Sequence, residues 1–169
     1  LTRIIEYMRK RKIFSKFLIR EHTSLYAEFD LDKVKIQYNK PLKGIFVGKL
    51  TDSHLRPDYI FSQNNRATMV YDAKYKEKLS VNDVTRLLAY IVEFAEPVEL
   101  ANLGQTGTKM LIGGFYKLKA GGIEHTAYSV IKNEEPPCKI VVYTVPVDPR
   151  MADTEVDRNI EASFKPLLP

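Results

Sequence analysis

The sequence has few of the features that mark secreted, disulfide-stabilised or membrane-spanning proteins. Its one cysteine, Cys138, excludes an internal disulfide framework and fits a reducing compartment, so we expect a cytoplasmic location. No apolar run approaches the roughly 18 residues that a membrane-spanning helix needs. Charged residues interrupt the first stretch of the chain, which therefore lacks the pattern of a signal peptide. We expect no membrane partner.

Several common catalytic and ligand-binding motifs are also absent. The three histidines, His22, His54 and His125, are isolated and show no metal-ligand spacing. The glycines occupy turn-like positions and form no phosphate-binding loop, so the chain shows no nucleotide site of its own. Cys138 has no catalytic partner nearby in the sequence, which gives a nucleophile hypothesis little support.

The charge is mildly basic and the length suits one domain. Lys and Arg together number 26 against 21 for Asp and Glu, which gives a net charge of +5 in a chain of 169 residues. That excess is compatible with a polyanionic partner, although many ordinary proteins share it. We expect a single domain over 1–169 and leave open whether it is a fragment of a longer chain.

Apolar periodicity predicts alternating helices and strands. Helical spacing occurs over 3–19, 80–95 and 153–164, and strand-like runs over 44–50, 58–62, 68–75, 109–118 and 139–145, with weaker alternation around 34–38. The resulting order, α-β-β-β-α-β-β-α, predicts an α/β fold with a mixed central β-sheet flanked by helices. The helix over 80–95 is the clearest element, because Ser80 and Asp83 suit a capping box. Its predicted apolar face comprises Val81, Val84, Leu88, Ile91, Val92 and Ala95.

Two acids and a lysine stand on neighbouring strand-like runs. Asp58 opens one run, and Asp72 and Lys74 end the next with side chains on one face, because strand residues alternate. The connector over 63–66 has hairpin composition, so Asp58 can lie beside Asp72 across the strand pair. Two carboxylates suit Mg²⁺, which would polarise a phosphate and lower the pKa of a bound water. Lys74 would orient that water or stabilise the transition state.

A purely structural interpretation competes with this one. Acid-x-Lys triplets and Pro-Asp turns are common, and the same residues could form a surface salt bridge worth at most about 1 kcal/mol. The order of the features favours function, because a strand-opening Pro-Asp precedes the triplet and a capped amphipathic helix follows it.

Three motifs resemble the PD-(D/E)XK nuclease superfamily. They are Arg56-Pro57-Asp58, the run from Tyr71 to Lys76 (Tyr-Asp-Ala-Lys-Tyr-Lys), and the run from Asp83 to Tyr90, which ends in Leu-Ala-Tyr. Within the superfamily they are most similar to the nuclease domain of McrC-type restriction components. The matched block covers about 55–90, and the rest of the chain agrees only in element order. The resemblance implies a restriction-endonuclease-like core.

The resemblance also implies roles for individual residues. Asp58 and Asp72 would be metal ligands together with the carbonyl of Ala73, and Lys74 would be the catalytic lysine. Glu6 is the best match to an acid that the superfamily carries on its first helix, and it would be a further catalytic and metal-binding residue. The implied cofactor is Mg²⁺, for which Mn²⁺ can substitute.

Four basic residues near the motifs are candidates for contact with nucleic acid. They are Arg56, Lys76, Lys78 and Arg86. McrC-like proteins often have glutamine where this chain has Arg86, so Arg86 would contact a phosphate or face solvent.

These residues together predict a metal-dependent DNA endonuclease that cuts phosphodiester bonds and leaves a 5′-phosphate, within a restriction or defence system. The alternatives are a catalytically inactive module of the same fold that binds DNA or scaffolds a complex, and a nuclease of another branch. The expected partners are DNA, a motor NTPase subunit as the resemblance implies, and a second copy of the chain, because cutting both strands favours a homodimer.

Overall fold

The computed structural model describes residues 18–22, 27–31, 34–44, 50, 54–63, 66–74, 76, 78–99, 109–118, 124–131, 138–148 and 150–164. The predicted helix over 3–19, which carries Glu6, lies outside these residues except for its last two. Those two residues belong to a strand, so the helix prediction is wrong there. The predicted strand over 44–50 is described only at its ends, where Gly44 is outside any strand and Leu50 is helical.

A nine-stranded mixed sheet forms the centre of the described structure. The strands are β1 (Leu18–His22), β2 (Ala27–Leu31), β3 (Val34–Tyr38), β4 (Tyr59–Gln63), β5 (Arg66–Lys74), β6 (Val98–Glu99), β7 (Lys109–Lys117), β8 (Glu124–Ile131) and β9 (Cys138–Pro146). Their order is β1-β2-β3-β4-β5-β7-β9-β8, with β6 paired to the start of β7. Strands β5, β7 and β9 are parallel, and the other pairs are antiparallel.

Two long helices pack on opposite faces of this sheet. Helix α1 (Val81–Phe94) joins β5 to the β6–β7 pair, and its Leu87 and Ile91 pack on a cluster that includes Val70. Helix α2 (Asp153–Phe164) follows β9 and belongs to the other cluster, through Val156 and Ile160. The predicted α/β fold with a mixed sheet flanked by helices is confirmed. No helix among the described residues is both long enough and apolar enough to cross a membrane.

The start of α1 agrees with its sequence, but its buried face does not. Ser80 accepts a hydrogen bond from the Asp83 amide, and the Asp83 carboxylate accepts one from the Ser80 amide, which completes the predicted capping box. The predicted apolar face is wrong at three positions, because Val81 is 81%, Val84 40% and Val92 47% exposed. The helix buries Leu87 and Tyr90, which were not predicted, together with Ile91, which was.

The β4–β5 hairpin sets the position of the acids. Tyr59 pairs with Tyr71 at the open end of the hairpin and Gln63 pairs with Arg66 beside the connector, so the predicted antiparallel neighbours are confirmed. Residues of β5 alternate between the two helix layers, with Val70 towards α1 and Tyr71 in the α2 cluster. Since side chains two apart share a face, the row that begins at Val70 continues with Asp72 and Lys74 on the α1 side.

Candidate active site

The two acids meet just beyond the open end of the β4–β5 ladder. Asp58 immediately precedes β4, and its carboxyl group is hydrogen-bonded to that of Asp72. Its Oδ2 also accepts a hydrogen bond of 2.6 Å from the amide of Ala73. The predicted proximity of the two acids across the hairpin is therefore observed. Two carboxyl groups placed side by side in this way favour a proton or a cation between them.

Two cations lie on Asp72. The ammonium group of Lys74 forms a close ion pair with Asp72 Oδ2, and Nη2 of Arg86 donates to the same oxygen at 3.0 Å. Asp72 is 2% exposed, whereas the Arg86 side chain is 50% exposed. Arg86 reaches the site because it stands on α1, which packs on this face of the sheet. A buried carboxylate therefore carries a buried lysine and a half-exposed arginine.

The surroundings separate the pKa values of the two acids. Burial, followed by the hydrogen bond with Asp72, raises the pKa of Asp58 from its usual 3.8 to about 6, while the hydrogen bond from the Ala73 amide opposes the change. Burial alone would also raise the pKa of Asp72, but hydrogen bonds with Asp58, Lys74 and Arg86 outweigh it and lower that pKa. Asp58 is thus the acid of the pair that keeps its proton to the higher pH, up to about pH 6, and Asp72 is the one that ionises first. Unequal pKa values in a carboxyl pair are typical of functional sites.

The backbone of Ala73 faces the same point. The amide and the carbonyl of one strand residue point to the same side of the strand, and the Ala73 amide points at Asp58. Ala73 lies beyond Tyr71, the last β5 residue paired to β4. Its carbonyl is therefore directed past the end of β4, beside the two carboxylates. Two carboxylates and a carbonyl are oxygen ligands of the kind that Mg²⁺ prefers, so the donor set fits a hard divalent cation.

The described residues do not supply a third acidic side chain. No group of three or more His, Cys, Asp or Glu side chains that could hold a metal occurs in that part of the chain. Glu6, the predicted third acid, lies outside the described residues, so its place remains a prediction.

The remaining basic candidates lie around the site with different partners. Lys76 forms a close ion pair with Asp83, the capping residue of α1, and its side chain is 44% exposed. Arg56 and Lys78 are exposed. The Arg56 carbonyl accepts a hydrogen bond from the hydroxyl of Tyr90. Tyr90 is buried and belongs to the apolar cluster around α1.

One residue at this edge of the sheet was missed by the sequence reasoning. Lys117 pairs with Lys74 across the parallel β5–β7 ladder, and only 8% of it is exposed. In the sequence it ends a long apolar run, as Lys74 does, and that shared position is the signal that could have identified it.

Comparisons with known proteins add little to this geometry. No family model matches the chain, and no curated protein matches it. A solved structure that matches is an assembly of Thermococcus gammatolerans McrB AAA+ hexamers with bound McrC, at 16% sequence identity and a TM-score of 0.47. The match covers 82% of this chain and 30% of that chain. Similarity at this level establishes neither the family nor an activity.

The acid pair makes the stability of the metal-free protein depend on pH through Asp58. The pKa of Asp58 is higher in the folded protein than in the unfolded chain. The contribution of Asp58 to the free energy of unfolding is therefore present at low pH and is lost as the pH rises through about 6. Asp58→Asn keeps a group that donates to Asp72 and accepts from Ala73. We expect the free energy of unfolding of Asp58→Asn, taken as the difference from the wild type, to increase by about 1 to 3 kcal/mol between pH 4 and 7. The range allows for the partial exposure of Asp58 to solvent.

Urea unfolding in EDTA at a series of pH values measures this difference. Asp148→Asn is the matched control, because hydrogen bonds from Arg150 lower the pKa of the Asp148 carboxyl to about 2. Its difference from wild type should stay constant over the same pH range. A constant difference for Asp58→Asn would contradict the raised pKa of Asp58.

Proposed function

We propose that this chain is a magnesium-dependent DNA endonuclease domain of a restriction or defence system. The observation that supports the proposal is the meeting of Asp58, Asp72 and Lys74 at the carboxyl end of β5, where the Ala73 amide donates to Asp58. A surface salt bridge would not bring a second carboxyl group beside one that is nearly fully buried. Burying two acids together is costly unless a cation or a proton neutralises them.

Each residue has a distinct role in the proposed reaction. Asp58, Asp72 and the carbonyl of Ala73 would hold Mg²⁺ or Mn²⁺, with Glu6 as a further ligand. When bound, the cation supplies Lewis-acid activation of the phosphate and of a water molecule. Lys74 lies on Asp72 and is placed to orient the attacking water and to offset the charge that develops on the phosphate.

Arg86 has two partners in this proposal. It neutralises Asp72 in the metal-free protein. With a divalent cation on Asp72, the half-exposed guanidinium is free to turn towards a substrate phosphate, to which it can bind in a bidentate manner. Arg56, Lys76 and Lys78 would extend this contact along the DNA backbone. The motor NTPase and a second copy of the chain remain proposed partners, on the strength of the motif resemblance.

A catalytically inactive module that binds DNA is the second candidate. It is favoured by the two cations that already neutralise Asp72, and by the lack of a third acidic side chain among the described residues. Such a module would bind DNA with strong salt dependence and would not cut it.

Incubation of the purified protein with duplex DNA separates the two candidates. With Mg²⁺ or Mn²⁺ in excess over the protein, the nuclease should cut DNA, and it should stop cutting when EDTA removes the metal. Product ends should carry a 5′-phosphate, which ligation without prior phosphorylation detects. Binding without any cleavage across both metals, alone and with a motor NTPase subunit, would support the inactive module instead.

A further inference from the structure

Lys117 stands beside Lys74 at the edge of the sheet where the acids meet. The two residues are paired in the parallel β5–β7 ladder, and the amide of Leu118 donates to the carbonyl of Lys74 at 3.1 Å. Neighbouring strands are about 4.8 Å apart, so the two side chains start from adjacent positions. The carboxyl ends of parallel strands are where ligands commonly bind in α/β folds.

The face of Lys117 follows from its neighbours on β7. A Cβ atom at Gly113 would meet Ile91 of α1, and Phe115 belongs to the cluster that packs on α1. Side chains two apart share a face, so Lys117 is on the α1 side, as Asp72 and Lys74 are. Lys117 lies on the far side of β5 from Asp58, because β4 and β7 flank β5 on opposite sides.

The surroundings of Lys117 do not explain why a lysine is there. It is 8% exposed, and its side chain has no acidic or hydrogen-bonding partner among the described residues. Lysine is almost never so buried without being paired. The ammonium group of Lys117 is not fully buried, although most of the residue is. The stem of Lys117 is therefore packed, and its charged end retains access to solvent. A packed stem fixes the ammonium group in advance and lowers the entropic cost of binding an anion.

We propose that Lys117 binds a phosphate of the DNA backbone that flanks the phosphate to be cut. This inference rests on the proposed function and extends it, because it assigns a DNA contact that none of the motifs contains. Lys74 is engaged by Asp72, whereas Lys117 is one strand further from the acids and has no acidic partner within the described ranges. That offset suits a neighbouring phosphate of the same DNA strand and gives the duplex a fixed register across the site.

DNA binding in EDTA tests the proposal without cleavage. Fluorescence anisotropy with a duplex at several NaCl concentrations gives the affinity and its salt dependence. Lys117→Met should bind about tenfold more weakly at low salt, and the slope of log K against log salt should fall by about 0.9, the value for one lost phosphate contact. Lys109→Met is the matched control, because Lys109 is exposed at the opposite end of β7 and should leave both quantities unchanged.

Lys117→Arg keeps the positive charge and should therefore keep the wild-type slope of log K against log salt. A purely structural role of Lys117 would not require the slope to be kept. If Lys117→Met does not fold, as judged by circular dichroism, the comparison of Lys117→Gln with Lys117→Arg decides in its place. Wild-type affinity and slope in a folded Lys117→Met protein, or an equal loss in Lys109→Met, would overturn this inference alone. Absence of DNA binding by the wild-type protein would overturn the proposed function with it.

Discussion

Asp72→Asn is expected to lower DNA cleavage by about 10³-fold or more, the scale of losing a preorganised charge at a reaction centre. Asp72 is the ionised acid of the pair and accepts from both Lys74 and Arg86. An asparagine of the same shape keeps a hydrogen-bond acceptor but loses the charge that a divalent cation requires. It should therefore lose metal binding as well as cleavage.

Two measurements make this result specific. Isothermal titration with Mn²⁺ should show no binding to Asp72→Asn at concentrations that saturate the wild type. Glu96→Gln is the control for loss of one negative charge, because Glu96 is exposed and pairs only loosely with Arg66, at 3.7 Å. It should cut DNA like the wild type. Cleavage by Asp72→Asn within tenfold of the wild-type rate, about 1.4 kcal/mol, would rule out the proposed site.

Lys74→Met should lower cleavage by about 10²- to 10⁴-fold while leaving metal binding intact or tighter. Methionine matches the length of the lysine stem, and the stem of Lys74 is almost fully buried, so the packing is retained. Removal of its ammonium group leaves Asp72 with less positive charge nearby, which favours a bound cation. The two variants should therefore differ. Asp72→Asn should lose both metal binding and DNA cleavage, whereas Lys74→Met should lose only DNA cleavage.

Single-turnover cleavage with saturating Mn²⁺ isolates the effect of Lys74 from any change in metal affinity. Lys109→Met serves as the control for loss of a lysine from the same sheet and should cut normally. If Lys74→Met lost metal binding in parallel with cleavage, Lys74 would be holding Asp72 in place instead of acting on the substrate.

The sequence was most informative where local pattern and turn chemistry agree. The hairpin composition of the 63–66 connector and the alternation along β5 were enough to bring Asp58 beside Asp72. The capping pair Ser80 and Asp83 was enough to begin α1. In each case the determining interactions lie within a few residues or one tight turn.

Features that depend on distant contacts were not accessible in this way. Both sides of α1 are rich in apolar residues, and periodicity cannot choose between Val84 and Leu87 without knowing where the sheet lies. Strands β1, β2 and β8 were missed because charged and polar residues interrupt their alternation. The pairing of Arg86 with Asp72 depends on helix packing, and that of Lys117 with Lys74 depends on a crossover connection. The apolar run before Lys117 marks the end of a strand but does not show which strand lies beside it.

The hydrogen bond from the Ala73 amide to Asp58 has a consequence for the order of folding. It joins residues only 15 positions apart, and they are the two arms of one hairpin. Contacts of short sequence separation close small loops, which form quickly and at low entropic cost. The acids can therefore come together when the hairpin forms. Lys117 arrives only after α1 has crossed over and β7 has docked. The nascent chain would thus hold the carboxyl pair with Lys74 on β5 before Arg86 reaches Asp72 from α1, and divalent metal present at that moment would assist folding of this part of the protein.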